Sequence, residues 1–287
     1  MFHREASLFM RFFLFLALSL VGAVSLSAQG KLRDLLTAKA PEGFVEQSWM
    51  VDGVKRTALV RVPKESKGPL AVVFCWHGHG GRSAQAAGRW GYEQADATSI
   101  LVFPQGLPTV SPLVDKEGRM PGWQTTLGGE GDRDIHLFDA MLADLRKTRT
   151  IDERRIYSMG HSNGAAFSYL LWQARPTVLA AIGSVAGALR VDAKALTPLP
   201  VIHVAGENDP LVKFAWQQAT FAAVRRFNHC EEVGKPWAKE GVLEATIFAS
   251  TEGAPLVTAL HAGGHEYPKG ASELIARFLK AQVKPTR

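Results

Sequence analysis

Cysteine is scarce in this chain. Of 287 residues only Cys75 and Cys230 are cysteines, so at most one disulfide can form. Cys75 lies inside a very apolar run, where a buried free thiol is the expectation. Cys230 stands in "FNHCEEV" after a helical pattern, and spacing does not decide whether the two pair. Runs of basic residues are also missing. The formal net charge is +6, but lysine and arginine are dispersed with no aromatics interleaved. That removes the electrostatic footprint of a nucleic-acid binder. Internal repeats and low-complexity linkers are absent, and no second composition regime appears. A hydrophobic share of 46% with 21% charged residues excludes a disordered chain and suffices for one large core.

Long apolar runs are few, and the longest is at the N-terminus. After His3, Arg4 and Arg11 it extends from Phe12 to Val24, then gives way to Ser25, Ser27, Ala28 and Gln29. It is short for a bilayer span of about 20 residues. A basic segment, an apolar segment and small residues in that order form the pattern of a signal peptide. No cysteine lies near the small residues, which argues against a lipid anchor. The expectation is a signal peptide over residues 1–28 and a single catalytic domain over 29–287. It follows that the mature protein is secreted, extracellular or periplasmic, with no membrane attachment after cleavage.

The remaining apolar stretches alternate with helical patterns. "FVEQSWMVDGVKRTALVRVP" reads as two strands about Asp52-Gly53, a dipeptide suited to a tight hairpin turn. "PLAVVFCWHG" (69–78), "SILVFPQG" (99–106), "RRIYSMG" (154–160), "AAIGSVAG" (180–187) and "LPVIHVAG" (199–206) read as strands covered on both faces. "EATIFAST" and "APLVTAL" add later strands. Helical spacing occupies 134–149, 163–175, 212–227 and 270–283, with Asp134 read as a helix N-cap. This alternation predicts an α/β fold: a mostly parallel central sheet, helices on both faces, and an antiparallel N-terminal hairpin at one edge. The longest irregular stretch is 108–134, a length that usually serves function.

"MGHSNGAA" (159–166) joins a buried strand to a helix and places Ser162 between Gly160 and Gly164. A strand-to-helix turn this tight has no room for a Cβ at either flank, and it aims free N–H groups of the helix at the reaction centre. A serine hydroxyl needs a base, and the base needs an orienting acid, in the chain order serine, acid, histidine. Asp209 follows the strand that ends at Gly206, and His265 lies in the glycine-flanked "HAGGHEYP". Glu207 is an alternative acid, and His261 an alternative histidine that ends its strand and reads as structural. "WHGHGG" (76–81) offers an oxyanion loop, with the backbone N–H groups of His79 and Asn163 as donors. The His79 side chain reads equally as lining the pocket or as solvated. Trp123 is read as a pocket residue able to stack on a sugar or an aromatic acyl group, against the alternative of a tryptophan packed on the core.

Taken together, "HGHGG", "FPQG", "GW" at 122–123, "IDERRIYSMGHSNGAA", "AGENDPLV" and "GGHEYP" resemble the group of polyhydroxybutyrate depolymerases, feruloyl esterases and acetylxylan esterases within the α/β-hydrolase superfamily. The resemblance runs over roughly residues 45–283. It implies Ser162 as nucleophile, Asp209 as acid, His265 as base and His79 with Asn163 as oxyanion donors. It also implies a secreted serine esterase acting on small esters or esterified polysaccharide, with no cofactor and no metal. Ala165 replaces a frequent glycine, His79 replaces a frequent cysteine, and Cys230 matches a family cysteine without a nearby partner. The family's separate polymer-binding domain is not seen, which favours hydroxycinnamoyl or acetyl esters of plant polysaccharide over solid polyester. Two rivals are remoter: a non-catalytic binding protein on the same fold, and a metal hydrolase using His77 with His79 or His261 with His265. The Asp-His that continues such an H-x-H motif is missing.

Overall fold

The apolar runs of the sequence converge on the middle of one large sheet. The computed structural model describes residues 40–65, 68–190 and 196–285. The expected signal peptide, residues 1–28, lies outside the described residues. Residues 40–287 form one compact unit. No helix among the described residues is long and apolar enough to cross a membrane.

The chain enters through β1 (Val45–Val51) and β2 (Val54–Arg61), joined at Asp52 and Gly53 with φ of 50° and 78°. Positive φ at both central residues gives a turn whose twist matches that of the strands. β3 (Leu70–Trp76) and β4 (Ile100–Pro104) follow, then a two-residue ribbon of β5 (Leu107–Pro108) and β6 (Pro121–Gly122). β7 (Ile151–His161), β8 (Ala181–Val185) and β9 (Val201–Gly206) continue the sheet. β10 (Lys235–Glu240), β11 (Leu243–Phe248) and β12 (Leu256–His261) complete it. The sheet order is β1-β2-β4-β3-β7-β8-β9-β12-β11-β10. The strands from β4 through β12 are mutually parallel. β1 and β2 are antiparallel at one end, as expected, and β11 and β10 form a second antiparallel ribbon at the other. "KPWAKE" has no apolar alternation and carries a proline, which suits an edge strand and hid β10 from a pattern reading.

The period of two along each strand divides the core. On β3, Val72, Phe74 and Trp76 face one apolar layer, while Val73 and Cys75 face the other. The first layer holds helices Arg133–Thr148 and Asn163–Ala174 and meets helix Phe214–Phe227 at Val224. The second holds helix Ala271–Lys280 with the short helices Ser83–Arg89 and Tyr92–Ala95. Helices therefore cover both faces, and each large apolar side chain buried in them stabilises the fold by about 1.5–3 kcal/mol. The two short helices lie in Ala- and Gly-rich sequence with no apolar stripe, so periodicity did not reveal them.

Asp134 is not a cap. It sits within the first turn of its helix with no exposed surface, and its carboxylate takes the Arg56 guanidinium at 2.7 Å and the Gln124 N–H at 2.9 Å. Arg56 arrives from β2, 78 residues away in sequence, which local spacing does not show. Burial pushes the Arg56 guanidinium below its usual range, and the adjacent carboxylate opposes the shift. A buried pair that loses one partner leaves an uncompensated charge. Arg56→Met is therefore expected to cost about 3–5 kcal/mol in urea unfolding, and adding Asp134→Leu to recover much of it. Equal stabilities for Arg56→Met and the native chain would rule out that role.

Candidate active site

β7 ends at His161, and helix Asn163–Ala174 begins after a single intervening residue. Ser162 makes the whole turn, with φ 54° and ψ −115°. Such a conformation in a non-glycine residue costs roughly 1–3 kcal/mol and persists only when its surroundings hold it. Here Ser162 N–H donates to the Val185 carbonyl at 2.8 Å, and the Ser162 carbonyl accepts from Ala166 at 3.0 Å. A Cβ on Gly160 would overlap the Gly164 carbonyl, and one on Gly164 would strike the carbonyls of Trp76 and His77. The two glycines thus let the turn press against the end of β3, as the sequence pattern predicts.

Three side chains meet at this turn. His265 Nε2 lies 2.8 Å from Ser162 Oγ, and His265 Nδ1 lies 2.8 Å from Asp209 Oδ2. Asp209 is buried, and its other oxygen accepts the N–H groups of Leu211 and Val212 at 2.8 and 2.9 Å. The carboxylate holds the proton of His265 on Nδ1, which leaves Nε2 free to accept the serine proton. Strand order brings this about: β9 and β12 are parallel neighbours, so the loop after each opens on the same sheet edge. The alternatives lie elsewhere. Glu207 is exposed, with its N–H on the His261 carbonyl, and His261 is buried with Nδ1 accepting the Gly263 N–H at 3.1 Å.

The loop after β3 stands beside the serine; a Cβ on Gly78 would lie 3.5 Å from Ser162 Cβ. His77 fixes that loop from below. Its Nδ1–H donates to the Gly78 carbonyl at 2.8 Å, and its Nε2 accepts the Gly106 N–H at 3.0 Å. Burial pushes its pKa down to about 4, so the ring is neutral and can accept. Gly80 N–H donates to the Pro121 carbonyl at 2.7 Å. The Asn163 side chain clamps Trp123, accepting its N–H at 2.7 Å and donating to its carbonyl at 3.0 Å. Among the described residues, the backbone N–H groups of His79 and Asn163 have no hydrogen-bond partner. They are the two donors expected for an oxyanion.

The structure revises two readings. Trp123 has no exposed surface: it packs edge-on to Trp76 at 5.0 Å and stacks with Phe167, and its indole N–H donates to the His77 carbonyl at 2.7 Å. It is a core residue that braces the loop after β3, and a substrate ring has no access to its face. A tryptophan in an irregular segment looks free in sequence because its partners come from β3 and the elbow helix. The His79 ring is mostly covered rather than solvated: it lies over Gly122, and Nε2 meets Asp115 Oδ2 at 3.1 Å. The Met120 N–H first, and His79 with it, holds Asp115 down at about 2. The histidine pairs of the metal reading are likewise engaged separately, His77 by backbone, His79 by Asp115 and His261 by Gly263. Cys75 and Cys230 are both free thiols, and burial raises the pKa of each. Sequence reading missed Asp115 and also Gln217, whose Nε2 lies 3.3 Å from Asp209 Oδ2. Gln217 is one of two buried polar residues, with Thr220, on the inner face of its helix, eight positions after Asp209.

No family model matches the chain. The chain nonetheless has the α/β-hydrolase fold, and esterases recur among the proteins it resembles. Feruloyl esterase C of Emericella nidulans is 23% identical over 269 residues, spanning 88% of this chain and 93% of that protein. NocK of Nocardia uniformis subsp. tsuyamanensis is 28% identical over 155 residues, which is 51% of this chain and 41% of NocK, so the match spans under half of that relative's length. Among solved structures, an acetyl xylan esterase from Aspergillus awamori superposes with a TM-score of 0.62 at 14% identity, covering 82% of this chain and 99% of that one.

Two buried histidines and one partly buried one set a pH limit on the fold. Burial pushes His77, His161 and His203 down to about 4 from an ordinary 6.5. Between those values the unfolded chain binds protons that the folded one refuses, so stability falls as pH falls through the window. Urea unfolding is expected to give a protein about 3–5 kcal/mol less stable at pH 5 than at pH 7. A flat profile between those pH values would mean that these rings protonate without unfolding.

Proposed function

We propose that this α/β-hydrolase is a serine carboxylic-ester hydrolase working through an acyl-enzyme. The observation that carries the reading is the continuous hydrogen-bonded line from Ser162 through His265 to Asp209. Ser162 Oγ attacks the ester carbonyl as His265 Nε2 takes its proton. The tetrahedral oxyanion is received by the backbone N–H groups of His79 and Asn163. His265 then returns the proton to the departing alkoxide, and the Ser162–acyl ester remains. Water, deprotonated by the same nitrogen, attacks that ester and releases the acid. Every proton has a named carrier within the chain, so the mechanism calls on no cofactor or metal.

The substrate class is the hydroxycinnamoyl or acetyl esters of plant polysaccharide, supported by the likeness to feruloyl and acetyl xylan esterases. Secretion after removal of residues 1–28, with 29–287 as a single catalytic domain, is supported by the basic, apolar and small-residue order of the N-terminus. A polyhydroxybutyrate depolymerase is the second reading. Val110, Leu113, Val114 and Met120, all about half exposed on the segment tied to His79, favour it as an apolar face for polyester.

The test is hydrolysis of methyl ferulate, acetylated xylan, p-nitrophenyl acetate and a polyhydroxybutyrate suspension, each beside Ser162→Ala. Activity on ferulate or xylan is expected, and Ser162→Ala is expected to lower kcat by at least about 10⁴-fold with the fold intact. Near-native rates in that variant would overturn the mechanism, while clearing of the polyester alone would select the second reading.

A further inference from the structure

Behind Asp209 the buried interior carries a line of polar side chains that the reaction itself does not use. Gln217, on helix Phe214–Phe227, sits with Nε2 2.8 Å from the Val212 carbonyl and 3.3 Å from Asp209 Oδ2. Its Oε1 lies 3.0 Å from His203 Nε2, and His203 Nδ1 lies 2.8 Å from the Tyr169 hydroxyl. His203 comes from β9 and Tyr169 from the elbow helix, so three separate elements meet here. Tyr169, His203 and Gln217 are each fully buried.

The direction of every bond in this line is fixed by chemistry. Val212 and Asp209 offer only acceptors, so the Gln217 amide must present N–H groups to both. Its oxygen then faces His203, which must donate from Nε2. Burial keeps that ring neutral, pushed down to about 4, so Nδ1 is bare and must accept the Tyr169 O–H. Reversing any one bond would set two acceptors or two donors face to face in a site closed to water, at the cost of an unsatisfied buried group.

We propose that Gln217 and His203 are positioning residues for the catalytic acid. They form, with Tyr169 as anchor, a one-directional hydrogen-bond chain that fixes the Asp209 carboxylate and through it the tautomer and aim of His265. The inference rests on Ser162, Asp209 and His265 acting as the triad. Leu211 and Val212 amides hold one oxygen of Asp209, and among the described residues only Gln217 and His265 meet at the other. Gln217 thus competes for the same lone pairs that orient the base. Without it, Oδ2 keeps His265 as its one side-chain donor, and the carboxylate is free to swing with the imidazole.

The experiment measures p-nitrophenyl acetate hydrolysis and the far-downfield proton resonance of His265 Nδ1–H in the full chain. Gln217→Met keeps side-chain length and removes both amide functions. It is expected to lower kcat about ten- to a hundredfold, with KM within about twofold, and to shift or broaden the His265 resonance. His203→Phe, which leaves the Gln217 oxygen without a donor, is expected to behave alike. His203→Asn, which can still donate to that oxygen, is expected to restore part of kcat. Should Gln217→Met fail to fold, Tyr169→Phe tests the far end of the chain: it frees His203 to change tautomer, and a lower kcat at constant KM is expected. If kcat and the His265 resonance are unmoved in Gln217→Met, or in Tyr169→Phe where that is the folded variant, the proposal falls. If Ser162→Ala retains activity, the triad reading fails first, and the two failures are told apart by that control.

Discussion

Everything at the site depends on how closely the start of the elbow helix approaches the end of β3. At Gly164 the two backbones touch with no Cβ between them, against the carbonyls of Trp76 and His77. That contact sets the height of Ser162 above the sheet and brings the Gly78–His79 loop within van der Waals reach of it. The unusual backbone of Ser162 is a consequence, since a turn pressed between β3, β8 and a helix has no ordinary conformation open to it. The position of Ser162 is therefore a packing result, decided by the missing Cβ of glycine before any other side chain of the candidate site is considered.

Buried neutral imidazole is the second recurring device. His77 closes on the Gly78 carbonyl and the Gly106 amide, and so sets the loop after β3. His203 stands in the middle of β9 between a phenol and an amide. Each ring acts as a donor on one nitrogen and an acceptor on the other. Burial serves both, because it removes the proton that would make them donors only. The cost is sensitivity to acid, carried by groups that never touch a reacting atom.

The parallel centre of the sheet was legible because its strands are apolar on both faces, a local signal. The hairpin was legible because Asp52-Gly53 states its own turn. Ser162 could be read from two glycines in a strand-to-helix context, and the order of Asp209 and His265 followed from the chemistry that a serine requires. What stayed hidden was long-range. Nothing near Asp134 announces Arg56, nothing near Trp123 announces the His77 carbonyl, and nothing near His79 announces Asp115. In each case a residue's meaning is fixed by a partner from another element, and helix or strand periods carry no trace of it. β10 was missed for the opposite reason: an edge strand has no buried face to leave a pattern.

The segment between β5 and the helix at Arg133 is tied to the rest of the molecule along its inner side. Asp115 grips His79 and the Met120 amide, Pro121 receives Gly80, and Trp123 is locked by Asn163. Between those ties Val110, Leu113 and Val114 stand in solvent. None of these three side chains takes part in a tie, so what they present to solvent is set separately from the backbone that the ties hold.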